Sequence, residues 1–219
     1  MQRDSLRRLV SGVTTFMLVV AAPAAAQILE RPASRLEPRM WISATAGVMD
    51  IAAIGDAESI WDFGTGFMYR ASLERSLGRG SAIGVAAGRS RMPLRASSNV
   101  LNRVDAHATV TSLMASFRGG GGSGFHQIYV VQAGALRFTD IQADDDNTVI
   151  NRGGNTDFAF SVGGGFGYGV NTRFAIGLVQ ELGLILHRGG GSTGNSNNSA
   201  QQRITRIGAS YGFALERPR

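Results

Sequence analysis

The chain has 219 residues, 43% of them hydrophobic, and a formal net charge of +6. This length suits one domain plus a targeting segment, and the absence of cysteine excludes disulfides, thiolate metal sites and cysteine nucleophiles. The positive charge is a mild excess for a chain of this size, so we expect no nucleic acid partner.

The N-terminus has the pattern of a secretory signal peptide over residues 1–26. Arginines precede an apolar run over residues 10–22, and an A-x-A cleavage site ends at Ala26. The apolar run is shorter than the roughly 20 residues that a spanning helix needs, so we predict cleavage. We therefore expect export across the inner membrane, an N-terminal periplasmic segment over residues 27–39, and a folded domain over residues 40–216.

The folded domain alternates between two kinds of segment. In one kind, apolar residues stand at every second position, which predicts β-strands. The other kind is rich in Gly, Asn, Asp, Ser or Arg. We predict eight strands, over residues 40–50, 60–77, 81–92, 106–118, 125–139, 157–170, 173–187 and 203–216.

The connections between these strands alternate in length. The first long connection covers residues 51–59, and the first short connection covers residues 78–80. In an up-and-down barrel, this order puts all short turns at one end and all long loops at the other, as in outer-membrane barrels. The sequence therefore predicts an all-β fold, an eight-stranded antiparallel up-and-down transmembrane β-barrel.

The two faces of the strands differ in size and polarity. The sixth and eighth strands carry large apolar residues on one face and Gly, Ala, Ser or Arg on the other. We expect the large apolar face to meet lipid and the small, polar face to line the lumen. Aromatic residues near strand ends are expected at the membrane interfaces, and these are Trp41, Trp61, Tyr69, Phe125, Tyr168 and Phe174.

Three strands need closer inspection. In the second strand, Phe63 falls on the side of Phe67 and Tyr69, which predicts an outward position. In the seventh strand Gln180 interrupts the apolar face, and a bulge would account for the break. A bulge would also account for Gln132 in the fifth strand, which interrupts an apolar face formed by Ile128, Val130, Leu136 and Phe138.

Charged residues on the small face predict an ion-pair network. An eight-stranded barrel has room for side chains and little else, and unpaired buried charges are costly. We predict that Arg70 and Arg206 pair with Glu74 and Glu181 in a lumen charge network that also includes Asp62. Such a network would plug the interior and leave no wide pore.

With these features, the chain resembles the OmpA-like family of small outer-membrane β-barrel proteins over residues 40–216. Its most specific pieces are the Gly- and aromatic-rich strand over residues 158–168 and the closing strand over residues 207–215. Family members often end on an aromatic residue, whereas this sequence continues beyond Phe213.

The resemblance implies that the chain is located in the cell outer membrane. The implied partners are outer-membrane lipids and lipopolysaccharide, with the barrel assembly machinery during biogenesis. The implied role is a non-enzymatic structural or surface-interaction role through the loops, whose extracellular ligand is unknown.

Other motifs are weak as catalytic or binding sites. Residues 208–212 match the nucleophile elbow, but no histidine follows them. Residues 119–124 match a dinucleotide fingerprint but precede a strand, which favours a hairpin turn. Residues 144–146 lack calcium-loop spacing, and the histidines are too dispersed for a metal site. We therefore predict no catalytic residue, no cofactor and no metal.

Two alternative functions remain open at this point. A lipid A-modifying barrel hydrolase would use a His–Ser–acid set near the outer rim, where His187 and Glu181 share a strand, but the sequence has no H-x-S pair. A soluble periplasmic barrel that binds a lipophile would need an apolar interior, which the polar lumen residues argue against.

Overall fold

A computed structural model of the protein describes residues 37–54, 61–96, 105–139, 141–145, 148–151, 155–186 and 199–216. The signal peptide predicted over residues 1–26 lies outside the described residues, as does most of the predicted segment 27–39. No helix among the described residues is long and apolar enough to cross a membrane.

The described residues form eleven β-strands. In chain order they are β1 (Glu37–Ile54), β2 (Trp61–Phe63), β3 (Gly66–Gly78), β4 (Ser81–Ala96), β5 (Asp105–Gly119), β6 (Gly124–Phe138), β7 (Ile141–Ala143), β8 (Val149–Asn151), β9 (Asn155–Gly169), β10 (Phe174–Leu186) and β11 (Ser199–Glu216).

Eight of these strands form a closed ring of antiparallel pairs. The order around the ring is β4, β3, β1, β11, β10, β9, β6 and β5, and β5 pairs back with β4. The last strand pairs with the first over its full length, from Glu37 opposite Glu216 to Ile54 opposite Ser199. This confirms the predicted eight-stranded up-and-down barrel, in which closure removes the unpaired sheet edges.

The short turn between β3 and β4 shows why this sequence makes a tight hairpin. Gly78 pairs with Ser81 across the turn. Arg79 and Gly80 between them have φ angles of 52° and 76°, and a type I′ turn requires positive φ at both central residues. Glycine adopts this conformation without steric cost.

The second predicted strand, over residues 60–77, is interrupted in the structure. Gly64 and Thr65 separate β2 from β3, and β2 pairs with β4. The Gly64 amide donates to the Pro93 carbonyl at 2.8 Å, and a Cβ at Gly66 would lie 2.4 Å from Met92 Sδ. The glycines thus allow a close approach to β4 that a side chain would block.

The long-loop end contains more strand than predicted. β1 continues to Ile54, β4 continues to Ala96, and β11 begins at Ser199. Within the loop predicted over residues 140–156, β7 and β8 form a short hairpin, and β7 pairs with β5.

The outer wall is apolar, with exposed large hydrophobic side chains on every ring strand. In β11 the exposed side chains include Ile207 and Tyr211. In β9 they alternate with buried Ala159 and Ser161, and they are Phe158, Phe160, Val162, Phe166 and Tyr168. The outward orientation predicted for these two strands is therefore confirmed.

The orientation predicted for the fifth strand, β6, is wrong. Ile128, Val130 and Leu136 are buried inside the barrel together with Gln132. The pairings of β6 continue through Gln132 without a register shift, so the proposed bulge is absent. The physical reason is that Gln132 accepts a hydrogen bond from Arg70 inside the barrel, which offsets the cost of burying its amide.

Three other side chains also depart from expectation. Gln180 lies on the outward face of β10, and the pairings continue through it without a bulge. Trp41 is a half-buried residue with Arg118 Cζ 5.4 Å from its ring centroid. Phe63 packs against the buried core, with its ring centroid 6.1 Å from that of Phe138.

The interior has two chemically different halves. The half toward the short turns holds the ion pairs beside a small apolar cluster of Ile128, Val130 and Val179. The half toward the long loops is mainly apolar, with Asp157 and Gln202 among its buried polar residues, which corrects the expectation of a uniformly small and polar inner face. Methionine side chains are flexible and fill irregular spaces. The apolar half is a cluster of Met49, Ile51, Met68, Met92, Val110, Met114, Leu136, Ala159, Ile185 and Ile204.

The close approach of β9 to β10 predicts a position-specific effect of adding one methyl group. A Cβ at Gly165 would lie 1.9 Å from the Leu178 carbonyl oxygen. Because backbone cannot move cheaply, we expect Gly165→Ala to lower the free energy of unfolding by about 1–3 kcal/mol. The measurement is urea unfolding of the barrel in lipid vesicles.

The neighbouring residue provides the matched control. A Cβ at Gly164 would meet only the Ile128 carbonyl oxygen, at 3.8 Å. We expect Gly164→Ala to change the free energy of unfolding by less than about 0.5 kcal/mol. Equal losses in both variants would contradict the strand packing described above.

Candidate functional site in the barrel interior

Glu181 is the centre of the charged half of the interior. Its side chain is fully buried on β10. Arg70 Nη1 donates to Glu181 Oε1 at 3.0 Å, and Arg206 Nε donates to the same oxygen at 2.6 Å. Ser161 Oγ donates to Oε2 at 3.2 Å. Two cations and a hydroxyl from three other strands thus satisfy one carboxylate.

Arg70 connects distant parts of the ring. Its strand, β3, is three strands away from β10 in one direction and three strands away from β6 in the other. Besides Glu181, Arg70 Nη1 donates to Gln132 Oε1 at 2.8 Å, and Gln132 Nε2 donates to Ser116 Oγ at 3.3 Å. The Arg70 side chain therefore crosses the interior and joins both sides of the barrel.

A second ion pair lies nearer the short turns. Arg118 Nε donates to Glu74 Oε2 at 2.8 Å, and Ser72 Oγ donates to Glu74 Oε1 at 3.2 Å. Both charged side chains are largely buried. The cation–π contact between Arg118 and Trp41 adds a second partner for this guanidinium.

The structure divides the predicted lumen charges into two groups. Arg70, Glu181 and Arg206 meet in one cluster, whereas Glu74 pairs with Arg118 instead of Arg70 or Arg206. The side chain of Asp62 lies outside the described residues. Alternation along the fourth predicted strand, which ends at Arg118, was the signal that could have placed this arginine inside.

Glycine makes room for the buried carboxylate. Gly163 is the residue on β9 directly opposite Glu181 on β10. A Cβ there would lie 2.6 Å from Glu181 Cγ. A side chain at Gly163 would therefore displace the Glu181 carboxylate from the charge cluster.

A small cavity adjoins the charge cluster. Its volume is about 60 Å³, and its lining includes Ser43, Thr45, Ser116 and Ser210 together with the three buried arginines. This volume is far less than a drug-sized ligand needs.

The arrangement does not provide catalytic chemistry at Glu181. Its two oxygens are occupied by two guanidinium groups and a hydroxyl, so it is not placed to orient a histidine at the outer rim. His187, the partner considered from sequence, lies outside the described residues. Among the described residues, no group of three or more His, Asp or Glu is arranged to hold a metal ion.

One histidine–carboxylate contact lies near the long loops. His107 Nδ1 is 2.7 Å from Asp144 Oδ1, and Arg91 Nη2 donates to the same oxygen at 3.2 Å. Asp144 lies in the hairpin between β7 and β8, so this contact ties the hairpin to the barrel wall.

The barrel architecture is similar to that of solved outer-membrane proteins. No protein-family model and no curated protein matches the sequence. Neisserial surface protein A has a TM-score of 0.53 and 13% identity, with 82% of this chain and 100% of that chain covered. The outer membrane protein OprG from Pseudomonas aeruginosa has a TM-score of 0.50 and 12% identity, with 84% and 99% covered. At these identities the similarity shows that the chain shares their barrel fold.

Proposed function

We propose that the chain is an outer-membrane β-barrel protein with a structural or surface-interaction role and a plugged interior. The observation that carries the proposal is the inverted distribution of side chains. Large apolar groups are exposed on all eight ring strands, while Arg70, Glu74 and Glu181 are buried inside. Soluble monomers rarely expose a continuous apolar surface of this kind, whereas lipid-facing barrels require it.

The two halves of the interior support the plug. Ion pairs cross the half near the short turns, and the apolar cluster around Met68 and Met92 fills the half near the long loops. The cavity beside the ion pairs is small, and its lining mixes polar and apolar side chains. This filling also argues against the alternative of a soluble barrel that carries a lipophile, since such a barrel needs an apolar cavity of ligand size.

The contacts of the buried acidic groups support the non-enzymatic role. Glu74 and Glu181 are paired with arginines, and buried Asp157 accepts a hydrogen bond from Asn155 Nδ2. The proposed life cycle is export by the signal peptide over residues 1–26, followed by insertion through the barrel assembly machinery. The barrel then lies among outer-membrane lipids and lipopolysaccharide, with the long loops at the cell surface.

Membrane fractionation of a Gram-negative host tests the location. We expect the full chain to sediment with the outer membrane and to migrate differently on a gel before and after boiling, because a closed barrel resists unfolding by detergent. A matched chain lacking residues 1–26 is expected to stay out of that membrane. Recovery of the full chain in a detergent-free soluble fraction would overturn the proposal.

Planar-bilayer recording tests the plug. We expect pure refolded protein to produce no steady conductance of porin size, because narrow eight-stranded barrels are filled by their own side chains. Bilayers that receive the same detergent without protein are the baseline. A sustained large conductance from pure protein would rule out a plugged interior.

Replacement of the central carboxylate tests the ion-pair cluster. Glu181→Gln keeps the side-chain size but leaves Arg70 and Arg206 without their shared counter-charge. We expect the free energy of unfolding to fall by about 3–5 kcal/mol, as for a buried pair that loses one partner. The measurement is urea unfolding in lipid vesicles.

Gln180 is the control on the same strand, because it faces outward. We expect Gln180→Leu to leave the free energy of unfolding within about 0.5 kcal/mol of the unmodified chain, or to raise it. If Glu181→Gln were equally harmless, the cluster would not stabilise the barrel.

A further inference from the structure

The outer wall carries a row of arginines near the long loops. Arg89 and Arg91 on β4 and Arg137 on β6 are exposed. Arg89 lies opposite Thr111 of β5, which in turn lies opposite Arg137. Because neighbouring strands are about 4.8 Å apart, the backbones of Arg89 and Arg137 are separated by roughly 10 Å. We call Arg89, Arg91 and Arg137 the arginine row.

The arginine row lies at the boundary of the apolar wall. Arg137 is one residue from the long-loop end of β6. Nearer the short turns, β4, β5 and β6 expose Val85, Leu113 and Val131. A charged side chain on a lipid-facing wall is costly at the membrane midplane and costs little at the interface. The level of the row therefore corresponds to the headgroup region on the long-loop side.

Aromatic side chains flank the row on the next strand. Tyr69 lies opposite Arg89 and Phe67 lies opposite Arg91. Both rings are exposed, and their centroids are 5.0 Å apart in an edge-to-face arrangement. Amphipathic aromatic rings are enriched at membrane interfaces, so these two rings support the same placement of the row.

The row has an excess of positive charge. Among the described residues, the guanidinium groups of Arg89 and Arg137 make no hydrogen bond or ion pair, and within the row only Arg91 has an acidic partner, Asp144. Elsewhere on the outer wall, Arg203 lies directly opposite Asp50. Two guanidinium groups are therefore available for an anionic ligand on this side of the barrel.

We propose that the arginine row binds the phosphate groups of lipopolysaccharide. Guanidinium groups form bidentate hydrogen bonds with phosphate oxygens, and two of them on strands whose backbones are about 10 Å apart suit a headgroup with more than one phosphate. The acyl chains would lie against the apolar wall below. The inference rests on the proposed outer-membrane location, because this lipid occupies the outer leaflet.

The test compares two probes on the full chain folded in detergent micelles. The first probe is bisphosphorylated lipid A, and the second is the same lipid A after enzymatic removal of its phosphates. We expect tighter binding of the first probe and a larger rise in the temperature at which the barrel unfolds on a heat-modifiability gel.

The variant for this test is Arg89→Gln/Arg137→Gln. We expect its affinity for bisphosphorylated lipid A to fall by about tenfold or more, from the loss of two interfacial arginines. The control Arg75→Gln/Arg173→Gln removes two exposed arginines near the short turns and is expected to stay within about twofold.

Equal affinity for the two probes, or an equal loss of affinity in both double variants, would overturn the inference. The arginine row would then bind a ligand other than the lipid A phosphates. Even if the variant failed to fold, the comparison of the two probes on the unmodified chain would decide the outcome. If fractionation placed the chain outside the outer membrane, the proposed function would fail. If the chain lies in the outer membrane but binds the two probes with equal affinity, only the inference about the arginine row would be refuted.

Discussion

The antiparallel pairing of β1 with β11 is the constraint on which the rest of the barrel depends. It continues from Glu37 opposite Glu216 to Ile54 opposite Ser199 and turns an open sheet into a ring with no free edge. A ring of eight strands encloses only enough space for side chains. Every inward residue must therefore fit against residues from strands across the ring, and every bulky residue beyond that capacity must face outward.

The two halves of the interior satisfy this constraint by different means. Toward the middle of the barrel, one buried carboxylate, Glu181, is shared by Arg70 and Arg206. Desolvation of such charges is costly unless geometry and hydrogen bonds are good, and here serine and glutamine side chains complete the network. Near the long loops, methionines fill much of the space, and the buried carboxylate of Asp157 accepts a hydrogen bond from Asn155.

The outer wall follows from the same ring. It carries the large apolar side chains for which the interior has no room. Charged groups on this wall have a low energetic cost only near its two ends, at the membrane interfaces. The arginine row is the clearest example of such charged groups. Arg89 and Arg137 reach the same level of the wall, on either side of β5, only when β4, β5 and β6 are aligned in register. The apolar wall and the proposed phosphate-binding row are then continuous.

The sequence by itself determined the number of strands in the ring, the alternation of short turns with long loops, and the outward faces of β9 and β11. These properties depend on period-two patterns and turn residues, which are local along the chain. The tertiary structure alone decided the partners of Glu181, the pairing of Glu74 with Arg118, and the inward orientation of Gln132. Those contacts join strands that are distant in sequence, and their identity depends on how far each strand is staggered around the ring, which no local pattern encodes.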